Sequence, residues 1–226
     1  MTLCRTLPWF VALWTATAAA PPLDEALTRL DRAAAGFRGL KAQIRKISFT
    51  ALVKESDEET GRITLYRPKP RDLRMLAEFE HPAPRAVAFA NNKVQIYYPR
   101  LMTVQEYDLG KQGALVDQFL LLGFGTPVRE LRRAYSIRYV GQEAVNGTPA
   151  DRLELTPLAE EARQHVKSIE IWVSQADGMV LQQKVNQPSR DYVLVTYSSI
   201  QVNPPLTPAD VRLNLPKGVK KETPQR

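Results

Sequence analysis

Asp72-Leu73-Arg74-Met75-Leu76-Ala77-Glu78-Phe79 sets Leu73, Met75, Ala77 and Phe79 at every second position, with Asp72, Arg74 and Glu78 between them. Successive side chains of a strand point to opposite faces, so this is the pattern of a half-buried antiparallel strand. The same period returns in Val94, Ile96 and Tyr98 against Lys93, Gln95 and Tyr97, and in Ile169, Ile171 and Val173 against Ser168 and Glu170. Gly61, Pro68 to Pro70, Pro82 to Pro84, Asn91-Asn92, Asn146-Gly147, Asp177-Gly178 and Pro188 punctuate the chain as turns, which leaves about ten candidate strands. Asp177-Gly178 between two apolar alternations is the strongest hairpin signal. Short spacing of this kind predicts one meandering sheet curled toward a barrel. Between Lys41 and Val53 the apolar residues change face midway, which predicts a bulge or a strong twist.

Helical spacing occurs at the ends of this β region and in its middle. Leu23, Leu27, Leu30, Ala34 and Phe37 fall on one helical face, with Asp24 and Glu25 in the first turn, Arg38 in the last and Gly39 placed as a C-terminal cap. Leu115, Val116, Phe119, Leu120, Leu121, Leu122 and Phe124 crowd into a short mid-chain stretch. A surface helix carries one apolar stripe, so four consecutive apolar residues from Phe119 to Leu122 predict a helix with apolar contacts on more than one side. It either plugs a closed barrel or closes a cavity as a lid. Thr126-Pro127 reads as the N-cap and first residue of a helix over Val128 to Ala134. After the strand Tyr192 to Gln201, the prolines at 204, 205 and 208 precede a predicted final strand with Val211, Leu213 and Leu215.

The first residues read as a secretory signal over 1–20: Arg5, an apolar run from Leu7 to Trp14, and small residues from Ala16 to Ala20, with cleavage expected near 18–20. A single exported domain over 21–226 follows, and the periplasm is the expected location. Cys4 is the only cysteine, and it precedes the apolar run, so the exported part has no thiol for a disulfide, a zinc-thiolate site or a nucleophile. The formal charge is +7. Its lysines and arginines are scattered along the strands, without the basic cluster and exposed aromatics of a nucleic-acid surface; anionic lipid head groups are the more relevant attraction.

Hydrolytic or metal chemistry needs converging His, Cys, Asp or Glu side chains. His81 and His165 are the only histidines, both in loop contexts, and Glu160-Glu161 beside Arg163 reads as a solvated loop. No nucleophile elbow, phosphate loop or zinc-binding His pair occurs. The expectation is a protein without catalytic residues, metal or cofactor.

Three motifs, in this order, carry a family resemblance. Gly61-Arg62-Ile63-Thr64-Leu65-Tyr66-Arg67-Pro68 is followed by Arg71 and Arg74; Val94-Gln95-Ile96-Tyr97-Tyr98-Pro99 comes next; Val211-Arg212-Leu213-Asn214-Leu215-Pro216-Lys217-Gly218-Val219 closes the chain. Over Leu23 to Lys220 the sequence resembles the periplasmic outer-membrane lipoprotein carriers, LolA and its relatives. It departs from them at Ala90-Asn91 and Gln95, where the family often has Asp-Gly and Trp.

The resemblance implies a mainly β (α+β) fold, a half-open antiparallel β-barrel with helices covering its concave face. It implies a monomeric shuttle that takes an acylated lipoprotein from an inner-membrane ABC-type complex and passes it to an outer-membrane receptor. In that family the arginine of the Arg-Pro motif bonds to the lid and favours the closed state, and the matching residue is Arg67. Leu115, Val116, Phe119, Leu120, Leu122 and Phe124, with Leu73, Met75, Phe79, Val94 and Ile96, are the candidate lid and cavity lining. Two other roles fit the same fold: a carrier of free lipid or glycolipid for a membrane exporter, and a lipid- or partner-sensing regulatory domain.

Overall fold

The computed structural model describes residues 22–69, 72–110, 122 and 124–224. The signal segment and the expected lid residues Leu115, Val116, Phe119, Leu120 and Leu121 lie outside the described residues. The chain opens with helix α1 (Pro22–Ala35), continues through strands β1 (Gly39–Thr50), β2 (Glu55–Lys69), β3 (Asp72–His81), β4 (Arg85–Ala90), β5 (Lys93–Tyr98) and β6 (Thr103–Asp108), and reaches α2 (Val128–Ala134). Strands β7 (Tyr135–Val145) and β8 (Thr148–Pro157), the single turn α3 (Glu160–Arg163), and strands β9 (Ser168–Ser174), β10 (Val180–Asn186), β11 (Tyr192–Val202) and β12 (Lys220–Glu222) follow.

All the strands join one sheet in the order β12-β6-β5-β4-β3-β2-β1-β11-β10-β9-β8-β7. Every pairing is antiparallel except the short parallel contact of β12 with β6. The sheet is not closed, because β7 and β12 form its two ends. Laid flat, the twelve strands would span roughly 53 Å. Instead, residues from both flanks, Met75, Phe79 and Phe89 on one side and Leu153, Ile171 and Val180 on the other, join Ala26, Leu27 and Leu30 of α1 in one buried cluster. The apolar face is therefore the concave one, and α1 packs on it.

α1 is about 21 Å long; its C-terminal end leads into β1, Arg29 at its middle bonds Asp151 of β8, and it also meets β7. Gly178, in the β9–β10 hairpin, has φ +74°, and a Cβ there would run into the backbone carbonyl of Arg29. The hairpin signal in the sequence thus also marks where the turn touches α1. Gly178→Ala is expected to cost about 1–3 kcal/mol, from a left-handed backbone combined with this contact, read as a shift of the urea midpoint.

Several local expectations need correction. α1 ends at Ala35, so Arg38 is outside its last turn and Gly39 is not its cap but the first residue of β1. At Gly39 an added Cβ would meet the Leu65 carbonyl at 2.6 Å, so close strand packing, and not helix termination, requires the glycine. No bulge occurs in β1, whose pairing with β2 is unbroken; the extra residue at Lys41–Gln43 lies on β11, beside Ser199 at φ +50°, and the change of face reflects a charged side chain at Lys46, over the Phe79 ring on the inner face. Residues 212–219 form no strand. Thr207 and Asp210 make a capping box on a 3-10 turn over Pro208–Val211, which lays Val211 and Leu213 against Leu76 and Ala88 on the convex face. Glu160 and Glu161 lie in the helical turn α3, where Arg163 pairs with Glu160 at 2.6 Å.

Candidate functional site

Strand alternation places each expected lining residue. Leu73, Met75 and Phe79 of β3 are buried on the concave face. Val94 pairs with Phe89 and Ile96 with Val87, so both share that face, where they are half-buried. Val185 and Val195 are half-buried on the other flank. The face therefore grades from a buried core near α1 to apolar side chains that water partly reaches.

The segment that precedes α2 is fastened to this face by four different elements. Arg67, near the end of β2, donates from Nη1 to the Gly125 carbonyl at 2.7 Å and from Nη2 to the Phe37 carbonyl at 2.6 Å. Its guanidinium lies 5.5 Å from the Phe37 ring centre. One side chain thus bridges the α1–β1 connection to the 122–127 segment. Burial draws the Arg67 pKa below its ordinary value, opposed by the Glu130 carboxylate. Gly125 has φ +105°, and a Cβ there would lie 2.8 Å from Phe37 and 2.9 Å from Arg67, so the approach requires glycine.

The second fastening comes from β10 and β11. Gln183 Nε2 donates to the Leu122 carbonyl, and its Oε1 accepts from the Tyr197 hydroxyl at 3.0 Å. Tyr197 is wholly desolvated, which pushes its phenol well above the usual range and keeps it a donor. Phe124, fully buried, stands edge-on to Tyr197 at 5.0 Å and 6.3 Å from Phe37. Finally, Val128 N–H donates to Asp31 of α1 at 2.8 Å. The cap of α2 therefore comes from another helix, and the N-cap residue is Pro127, one later than the expected Thr126.

Of the expected lid residues, Leu122 and Phe124 are the described ones, and both are buried against the concave face. The sequence reading missed Phe37 as a ring beneath Arg67, and Gln183 and Tyr197 altogether. Gln183 occupies an inward position between apolar residues of β10, a polar interruption that marks such a tether, but its partner is a backbone atom and leaves no trace in sequence.

On the far flank, Asp151 of β8 is 1% exposed. It accepts from Arg29 Nη2 at 2.5 Å, from Gln175 at 2.9 Å and from the Tyr139 hydroxyl at 3.2 Å. This network pins α1 to the sheet. A cavity of about 540 Å³ beside it is lined by the charged residues Asp24, Glu25, Arg29, Arg32 and Asp177 together with Thr28, Gln175 and Ala176. His81 and His165 are exposed. Among the described residues no group of His, Cys, Asp and Glu could hold a metal ion, and no helix is long and apolar enough to cross a membrane.

No family model and no curated protein sequence matches the chain. Solved structures do. An uncharacterized conserved protein from Thermus thermophilus aligns with a TM-score of 0.55 at 14% identity, over 90% of this chain and 100% of that one. A structure of MucB aligns with a TM-score of 0.52 at 16% identity over 84% of this chain, which spans 62% of the MucB chain. A LolA superfamily protein from Nitrosomonas europaea aligns with a TM-score of 0.41 at 10% identity, over 86% and 99% of the two chains. The likeness is one of fold, which the chain shares with MucB and the Thermus protein.

Proposed function

We propose that this protein is a periplasmic carrier that shields the acyl chains of lipoproteins on their way between the inner and outer membranes. It is not an enzyme. One observation carries the reading: an apolar concave face, half-exposed along Val87, Val94, Ile96, Val185 and Val195, adjoins a segment held down by side-chain bonds to its backbone carbonyls and by the burial of Leu122 and Phe124. Such bonds can break without disturbing the sheet ladder, so the segment is suited to open and close.

The energetics require a moving part. Each buried methylene contributes about 0.8 kcal/mol, so one long acyl chain contributes on the order of 10 kcal/mol. A rigid pocket that kept all of this could not release its cargo. Opening the 122–127 segment breaks the Arg67 and Gln183 bonds and exposes Phe124, and that cost offsets part of the binding energy. The partners of such a cycle are an inner-membrane ABC-type complex that loads the carrier and an outer-membrane receptor that unloads it, each meeting the monomer in turn.

Native mass spectrometry of the protein purified from the periplasm, followed by organic extraction, tests this directly. A bound triacylated protein or lipid is the expected result. An empty protein that also refuses added lipid would overturn the carrier reading.

A further inference from the structure

At the end of the concave face remote from Arg67, charge replaces hydrocarbon. Lys46 continues the inward set Leu40, Ala42 and Ile44 of β1; Glu59 continues Ile63 and Leu65 of β2; Arg85 continues Val87 and Phe89 of β4. Lys46 stands directly opposite Glu59, and Arg85 directly opposite Phe79. Lys46 Nζ at 2.8 Å and Arg85 Nη2 at 2.9 Å donate to the same oxygen, Oε2 of Glu59. Both cations also lie over the same ring, 5.8 Å and 4.7 Å from the centre of Phe79. The three charged side chains are only 18–29% exposed.

This arrangement is a poor device for stability. Partly desolvated charges at inward positions gain little over the apolar residues that could stand there, and one carboxylate cannot neutralise two cations. A lysine offers three donors and an arginine five. Glu59 takes one from each, and Arg85 Nε is buried with no hydrogen-bond partner. The cluster therefore holds one excess positive charge and spare donors. It sits at the rim of an apolar surface, since the next inward residues are Ile44, Ile63, Ala77 and Val87.

We propose that Lys46 and Arg85 form a subsite for the phosphate of an anionic lipid headgroup whose acyl chains lie along the concave face toward Phe124. This rests on the part of the carrier reading that gives the concave face to acyl chains, and it names a phospholipid, whose headgroup carries the phosphate that a lipoprotein's glyceryl-cysteine lacks, as an occupant. One phosphate oxygen takes the Lys46 ammonium, and a second takes the exposed part of the Arg85 guanidinium, a charge-assisted contact that a neutral headgroup lacks. Glu59 holds the two cations in place in the empty site and competes with the ligand in the filled one.

The test uses phosphatidylcholine vesicles that carry equal amounts of phosphatidylglycerol and a diacylglycerol with the same chains, with the lipid taken up by the protein quantified by mass spectrometry. Because both lipids share one vesicle, attraction of the basic protein to the surface cancels from their ratio. The wild-type protein is expected to enrich phosphatidylglycerol about tenfold, the scale of one charge-assisted contact. The Lys46→Gln/Arg85→Gln variant should take up less phosphatidylglycerol, bringing the two lipids to near-equal amounts, and Glu59→Gln should raise the enrichment. Equal uptake by the wild type, or enrichment that survives the double variant, overturns the subsite while the carrier reading stands. Uptake of neither lipid overturns both. If inorganic phosphate alone raises the melting temperature through Lys46 and Arg85 while the lipids are taken up equally, the site serves the free ion, and the headgroup assignment fails.

Discussion

Asp151→Ala is expected to lower the melting temperature by about 4–12 °C, followed by circular dichroism. The carboxylate is among the most buried charged groups described, and three donors from three separate places converge on it: Arg29 of α1, Tyr139 of β7, and Gln175 of the β9–β10 hairpin. Truncation leaves the Arg29 guanidinium, whose Nε already has no partner, half-sunk without its counter-charge. Removing one member of a buried pair costs about 3–5 kcal/mol; because the Arg29 side chain keeps 24% of its surface in water, about 2–3 kcal/mol is the better expectation. Each kcal/mol is worth roughly 2–4 °C in a chain of this size. Asp151→Asn keeps the shape but has one acceptor oxygen in place of two, so it can accept from Arg29 or from Gln175 and Tyr139 but not from both sides, and it should lose nearly as much. A much smaller loss for Asp151→Asn than for Asp151→Ala would show that shape and not charge holds α1 to β8.

Arg67→Leu is expected to leave lipid loading intact and to stop delivery to acceptor membranes, measured as transfer of bound lipid over time. The substitution removes both donors that join the Phe37 and Gly125 carbonyls and puts an apolar side chain on the concave face. The empty closed form then loses its fastening, while bound hydrocarbon gains a contact. Both changes favour the filled state, so the cargo is harder to pass on. Gly125→Ala should produce the same defect by forcing the segment away from Arg67 and Phe37. Unchanged delivery by Arg67→Leu would remove the latch from the mechanism. Loss of loading as well as delivery would instead mean that Arg67 supports the fold of the 122–127 segment.

Much of the architecture was legible because strands announce themselves locally. The alternation at Leu73–Phe79 and at Ile169–Val173, and the turn at Asp177-Gly178, needed no partner to be read, and each falls in the expected element. Leu76 shows the limit of that reading. It breaks the period between Met75 and Ala77, and the reason is a second apolar contact with Val211 on the convex face, supplied by residues far along the chain. The same 3-10 turn displaced the expected final strand, because the Thr207–Asp210 capping box competes locally with extension.

Period and composition, which act over a few residues, were enough to assign the mainly β fold class, the helix at the start of the domain and the alternating sets of the central strands, whereas Arg67 was singled out only by the family resemblance of its Arg-Pro motif. Folding in three dimensions was needed to establish which face is concave, that α1 crosses from β1 to β8, and that Phe37, Gly125, Gln183 and Tyr197 meet around Phe124. It also brought Lys46, Glu59 and Arg85 together beside the ring of Phe79. Contacts of this kind join residues from strands distant in sequence, and several end on backbone carbonyls that every residue possesses, so side-chain pattern carries no record of them.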